Sequence, residues 1–417
     1  MYKNFFSNSL MTTTIFSPQK NMQQKLLVGL VFGGQILFFS LMFTLLKVMS
    51  QTCVPALAGM TVGGGSSGKK CPVENDIKFE RPVLNALMMV GSMSLALIYY
   101  FGFLKGKKNV EPVSRKSLVF IVLPACLDTV TCALLMAGSM FIPISLTLTL
   151  KGIRILFSSI LVILIFNRKQ KNYNWAGVAI AMLGVSMAAL SAVLNNNAAG
   201  AAAGSDTSMT MLGIGLVVAS EFFRSLMVVT QEYLIKVIKC DPSFMIGLQG
   251  VYGGILVVLL MIVAWLAIPG KDVENSFENL QSTFQLASQS SLIITILAIL
   301  PLIVVLGFVC SAMVTKLLSS VHNAMASVTM TALAWLMELF IFYVVDKNYG
   351  NPWGPFSALQ LVGFTLVVLA LLVYDGTFIK LTWILEYPPQ AVASKEEEEV
   401  KVVEFENNIS ITDKPSS

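Results

Sequence analysis

Five ionisable residues lie inside long apolar stretches of this 417-residue chain: Asp128, Lys151, Arg154, Glu221 and Arg224. A charge at bilayer depth costs roughly 2.5–3.5 kcal/mol on insertion scales, so it faces a protein interior or a watery cavity and has a partner. The chemistry open to such a set is recognition of a polar solute. Lys151 and Arg154 are three residues apart, as are Glu221 and Arg224, so each pair shares a helical face. At about 1.5 Å per residue, Asp128 and Glu221 lie about 15 Å into their segments, near mid-bilayer, with Arg154 at similar depth. The expected pairing sets Glu221 against Arg224 along one helix and Asp128 against Lys151 from the next. Arg154 is then left without a carboxylate, and three cations face two carboxylates. An unpaired buried guanidinium calls for an anion. Lys151 and Arg154 are therefore candidates for binding an anionic or zwitterionic group, with Asp128, Glu221 and Arg224 completing the site. The alternative is a structural ion-pair network, or Arg154 meeting the bilayer edge.

Two more carboxylates are candidates for coupling or gating. Glu232 can pair with Lys236 four residues on, or serve as a gate or proton site. Glu338, near the end of its segment, is either interfacial or a second gate. His322 is the lone histidine. It titrates near neutral pH and could sense it, but a solvated histidine at a helix start is ordinary.

The segments that must hold these residues dominate the composition. The chain is 55% hydrophobic and 12% charged, with a mean hydropathy of +0.75. A soluble domain carries about 25% charged residues, so this chain cannot cover a globular surface in water. Runs of roughly 20 apolar residues mark membrane helices. They fall near 26–49, 83–104, 118–140, 144–166, 173–194, 211–236, 244–267, 292–315, 321–345 and 356–379. They do not alternate as barrel strands do. The expected fold is all-α and integral to the membrane: ten transmembrane helices as two inverted five-helix repeats. The first segment follows a largely polar stretch without a small-residue cleavage site, and is expected to be retained.

Between the repeats, 26–194 and 211–380, lies a low-complexity tether, 195–210, NNNAAGAAAGSDTSMT. An odd helix count per half gives the halves opposite orientation, a transporter architecture with its site near the midplane. Ser145–Phe166 echoes Val321–Phe342 in length and texture. Basic residues crowd alternate loops: Lys3, Lys20 and Lys25, then Lys105, Lys107, Lys108, Arg115 and Lys116, then Arg168, Lys169 and Lys171, then Lys236, Lys239 and Lys316. This bias places segment 1–25 and the tail 381–417 in the cytosol. The tail carries the acidic run Glu396–Glu399 and is expected to be disordered. The sequon at Asn408 would go unused there.

The long loop 50–82 holds the glycine/serine run Gly63–Gly68, expected to be flexible, and two of the six cysteines, Cys53 and Cys71. An oxidising lumen permits a bridge between them, though spacing alone does not fix connectivity. Cys126, Cys132 and Cys310 are expected to pack as small apolar residues. The stretch SFENLQSTFQLASQ in 268–291 is weakly amphipathic and reads as a short surface helix. Gly29/Gly33 and Gly250/Gly254 form GxxxG pairs suited to helix packing. Trp175, Trp265 and Trp353 read as interface anchors.

Taken in order, several motifs resemble the drug/metabolite transporter superfamily, and the F branch of solute carrier family 35 within it. They are Pro124-Ala125 with Asp128, Leu150-Lys151-Gly152, Arg168-Lys169 followed by Trp175 and Gly177, Gln231-Glu232, and Leu359-Gln360 with Gly363-Phe364. The resemblance spans about residues 25–380. It implies a nucleotide-sugar-transporter-like, EamA-like carrier in an endomembrane, lysosome, vacuole or Golgi ahead of the plasma membrane. The chain departs from the family pattern. Lys151 replaces an arginine, Leu148 stands for a glutamine, and Asn323, Ser327 and Met330 stand where charges are expected. Arg154, Arg224 and Glu338 are additions.

No GxGxxG or Walker pattern precedes a helix, and no HExxH is present. No enzyme, cofactor, metal site or nucleic-acid partner is expected. The partners are a small-molecule solute and the lipid bilayer, with a homodimer left open. The leading reading is a secondary-active carrier moving a small polar, anionic or zwitterionic metabolite by alternating access. The alternatives are a vacuolar or lysosomal drug, amine or peptide carrier, and a non-transporting membrane protein that binds a partner.

Overall fold

The computed structural model describes residues 18–57, 71, 76–79, 81–104, 115–139, 141–142, 147, 150–167, 170–198, 207–267, 278–347, 349–350, 352–374 and 376. Among the described residues, nine helices are long and apolar enough to cross a membrane. Their outer faces carry Val119 at 72% exposure, Ile98 at 69% and Met211 at 66%. Water would penalise that surface; acyl chains do not. Helices are the form such segments take in lipid because each satisfies its own backbone hydrogen bonds. The chain is an all-α multi-pass membrane protein.

The helices are α1 (Pro18–Gln51), α2 (Pro82–Gly91), α3 (Leu95–Tyr99), α4 (Arg115–Ser139), α5 (Arg154–Phe166), α6 (Asn172–Ala198), α7 (Thr207–Lys236), α8 (Pro242–Ala267), α9 (Leu280–Ser288), α10 (Ser291–Leu317), α11 (Ser320–Phe340) and α12 (Ser357–Tyr374). A 3-10 turn at Ser92–Ser94 joins α2 to α3, so the two make one bent span. Pro124 and Pro301 sit inside α4 and α10.

The expected helix 144–166 carries a 3-10 turn within it. Thr147 and Leu150 are α-helical, Lys151–Ile153 form the turn, and α5 follows, with right-handed helical backbone angles at Leu150, Ile153 and Arg154. Leu148 lies outside the described residues. Elsewhere the ends shift. α1 begins at Pro18 instead of 26, and α12 ends at Tyr374 instead of 379. α6 and α7 run into the expected tether, leaving 199–206 outside the described residues. Also outside the described residues are the Gly63–Gly68 run, Lys105, Lys107 and Lys108, Arg168, Lys169 and the tail, with Glu396–Glu399 and Asn408.

Close packing pairs α6 with α12, α4 with α7, and α1 with both α10 and α11. The α6–α12 approach needs glycine on both sides. A Cβ on Gly184 would stand 2.6 Å from the Gly363 carbonyl, and one on Gly363 would stand 2.6 Å from that of Gly184. The GxxxG expectation divides. Gly250 lies against the Met93–Ser94 backbone, whereas a Cβ on Gly29 or Gly33 would meet nothing within 4 Å. Those two glycines face outward on α1, so among the described residues they pack against no other helix.

At one end of the bundle, where α1 finishes and α2 begins, the two long loops build a joint cap. Strands β1 (Cys53–Pro55) and β2 (Asp76–Lys78) pair antiparallel, Val54 opposite Ile77. A disulfide joins Cys53 to Cys71, with Cα atoms 6.0 Å apart. Phe79, Val54, Met49 and Leu84 form one apolar cluster with Leu286, Ala287, Ile293 and Ile296. The described part of 50–82 is therefore ordered structure. The amphipathic stretch forms α9, capped by the Asn279 side chain, which accepts from Gln281 N at 2.9 Å. Glu278, 1% exposed, accepts from Val83 N at 2.8 Å and Leu84 N at 3.0 Å. That carboxylate satisfies two donors orphaned at the start of α2.

Candidate functional site

The charged cluster is built by α4, α5 and α7 with the 3-10 turn. Asp128 and Glu221 are 1% exposed, Lys151 5% and Arg154 8%. The pairing differs from the sequence expectation. Arg154 pairs with Glu221: Nε donates to Oε2 at 2.8 Å and Nη2 lies 2.7 Å from the same oxygen. Arg224 Nη1 donates to Asp128 Oδ1 at 2.8 Å. Residues three apart on a helix diverge by about 60° around its axis. α7 contacts α5 on one side and α4 on the other, so Glu221 turns to the first and Arg224 to the second. A pair within α7 would leave both neighbours uncompensated. Arg154 is thus not the cation without a carboxylate.

That cation is Lys151. Among the described residues its ammonium has no ion-pair or hydrogen-bond partner; it stands over the Phe43 ring of α1, 4.0 Å from the centroid. Such a contact contributes about 2 kcal/mol when desolvated, which only partly offsets burial of a charge. The lysine heads the 3-10 turn, where α-helical bonding is interrupted. The turn is pressed inward by Gly152, at which a Cβ would overlap Val185.

Amides extend the cluster. Gln249 Nε2 lies 3.4 Å from Asp128 Oδ2, and Gln231 Nε2 donates to Gln249 Oε1 at 2.7 Å. Ser225 Oγ lies 2.8 Å from the Glu221 carbonyl and 3.3 Å from that of Arg154, tying α7 to α5. A second network joins α1, α10 and α11. Gln35 Nε2 donates to Asn323 Oδ1 at 2.9 Å, and Asn323 Nδ2 reaches Ser311 Oγ and Thr315 Oγ1, both at 2.8 Å. Asn323 thus connects three helices. Gln35, Gln249 and Phe43 escaped the sequence reading, which weighed charges alone. Gln35 and Gln249 are fully buried amides inside apolar segments, a signal of the same kind at lower cost.

Glu232 and Glu338 sit at opposite ends. Glu232 Oε1 accepts from Lys236 Nζ at 2.8 Å. Its Oε2 accepts from Ser320 N at 2.9 Å and Ser320 Oγ at 2.6 Å. Lys236 also donates to the Leu318 carbonyl at 2.6 Å. One buried carboxylate thus locks α7 to the α10–α11 turn. Glu338 on α11 pairs with Lys47 on α1 beside the cap. His322 Nδ1 is 2.7 Å from Ser319 Oγ, and its ring meets Tyr374 edge-on at 5.3 Å. The two line a cleft of about 380 Å³ with Gln170, Asn174 and Leu318.

Among proteins of known sequence, the chain aligns with an uncharacterized protein of Schizosaccharomyces pombe at 22% identity over 275 residues. That match covers 65% of this chain and 78% of the relative. It aligns with solute carrier family 35 member F6 of Homo sapiens at 20% identity over 322 residues, 73% of this chain and 81% of the relative. The Mus musculus protein of that name gives the same figures. No protein-family model matches the chain. A crystal structure at 14% identity covers 85% of this chain and 98% of its own with a TM-score of 0.52, a likeness of fold alone.

Proposed function

We propose that this solute carrier family 35 F-like chain is a secondary-active transporter moving a small polar, anionic or zwitterionic metabolite across an endomembrane by alternating access. One observation carries the reading. Lys151 is buried at a 3-10 turn within a helix, in a cluster whose carboxylates are both taken by arginines. An uncompensated cation at that depth is costly, and a solute anion would compensate it. Solute sites near the midplane of the bundle recur in secondary transporters.

In this reading residues 26–194 and 211–380 are inverted five-helix repeats, with the segment around the 3-10 turn counted as the fourth helix. Asp128, Glu221, Arg154 and Arg224 frame the site, and Lys151 binds the substrate anion. The Lys47–Glu338 pair and the Glu232–Ser320–Lys236 lock serve as gates at opposite ends, each released when its side opens. The termini lie in the cytosol and the cap in the lumen. A cationic drug or amine carrier fits less well, because the cluster already holds surplus positive charge.

Uptake into vesicles containing the purified protein tests the proposal, across a panel of labelled nucleotide sugars, nucleotides, organic acids and amino acids. Saturable uptake of an anion or zwitterion, lost in Lys151→Met, is expected. Uptake confined to cationic amines, or none at all, refutes it.

A further inference from the structure

The Arg154–Glu221 contact is lopsided. Both guanidinium contacts fall on one carboxylate oxygen, Oε2, and among the described residues no hydrogen bond reaches Oε1 or Arg154 Nη1. A guanidinium has two edges that can each grip a pair of oxygens. Glu221 takes the Nε–Nη2 edge with a single oxygen, leaving the Nη1–Nη2 edge. Lys151 is three residues away on the same helical face and lacks a carboxylate of its own.

We infer that Glu221 is the built-in occupant of the anion site, holding Arg154 until a substrate oxyanion displaces it. The inference rests on the transport reading above and adds the identity of the competitor and the charge of the ligand. Three cations against two carboxylates leave a surplus of one positive charge. The ligand group is therefore an oxyanion bearing one negative charge, a carboxylate or a singly charged phosphate ester. Its oxygens would span Lys151 Nζ and the free edge of Arg154. The released Glu221 can turn to Arg224, its neighbour three residues along α7. Asp128 is no such competitor: it holds Arg224 and is supported by Gln249.

Two isosteric variants test this. Glu221→Gln and Asp128→Asn each raise the cluster by one positive charge, but only the first removes the proposed competitor. Binding of lactate and of methyl phosphate to purified protein is measured by calorimetry, with thermal unfolding as a control for fold. Glu221→Gln is expected to tighten binding at least about tenfold, the lower end of what a hydrogen bond to a charged group contributes. Asp128→Asn adds the same charge without removing the group that grips Arg154, so it should tighten binding by the field effect alone and several-fold less than Glu221→Gln. The probe that responds separates carboxylate from phosphate ester. Equal tightening in both variants, or weaker binding in Glu221→Gln that still unfolds as wild type does, overturns the competitor role while leaving Lys151 as the anchor. If neither probe binds wild type or Glu221→Gln, the inference fails, and the vesicle panel decides whether the transport reading fails with it.

Discussion

Arg154 and Lys151, three residues apart, should respond oppositely to substitution. Arg154→Ala leaves the Glu221 carboxylate, 1% exposed, only the Arg224 guanidinium that Asp128 already holds, and should lower the unfolding midpoint measured in detergent. Lys151→Met removes a charge with no carboxylate partner, so its unfolding midpoint should equal or exceed that of wild type while transport is lost. The sequence located all five charged residues and their surplus, because burial cost depends on depth, which position in a segment reveals. It misassigned the partners, because pairing depends on which helix packs on which face of α7, a tertiary fact absent from local spacing. Cys240, in the turn between α7 and α8, offers a pH test. Burial, with Asp241 beside it, pushes its thiol up to about 11. At pH 8 about one Cys240 in a thousand is then thiolate, and alkylation by maleimide should be slow and rise about tenfold per pH unit up to pH 10. The folded state holds this proton more tightly than the unfolded chain, so its contribution to stability is full below the ordinary thiol pKa of about 8.5 and is lost as pH climbs toward 11. Alkylation as fast as a free thiol's would show Cys240 to be solvated.

At the scale of elements, hydropathy located the spans because lipid solvation imposes one composition on them all. What it could not locate is the 3-10 turn at Lys151–Ile153, since the turn's neighbours are as apolar as any helix, or the cap, whose parts lie 195 residues apart. Glu278 shows the cap's dependence on long-range contact. Glu278→Ala leaves the Val83 and Leu84 amides unsatisfied and should cost about 1–3 kcal/mol. Amide exchange of those two residues and of α9 should quicken together, while exchange in α6 and α12 stays unchanged. Reducing the Cys53–Cys71 bridge should quicken exchange across β1 and β2 in the same experiment, since the apolar cluster around Phe79 then loses one of its ties. Unaltered protection in α9 after Glu278→Ala would mean that the cluster alone holds the cap.

For the whole molecule, the basic-loop bias predicts orientation. Protease added to vesicles with the cytosolic face outward should remove the tail from 381 onward and spare the cap; a protected tail would invert the topology. The Glu278–Val83 contact, spanning 195 residues, carries one further consequence, for biogenesis. A ribosome adding about 5–20 residues per second delivers Glu278 roughly 10–40 seconds after Val83. Through that interval the start of α2 stands with its amides open and the apolar face around Phe79 and Leu84 uncovered. A nascent chain arrested before residue 278 should therefore be held by chaperones on the side where the cap will form, and should leave them once α9 has emerged.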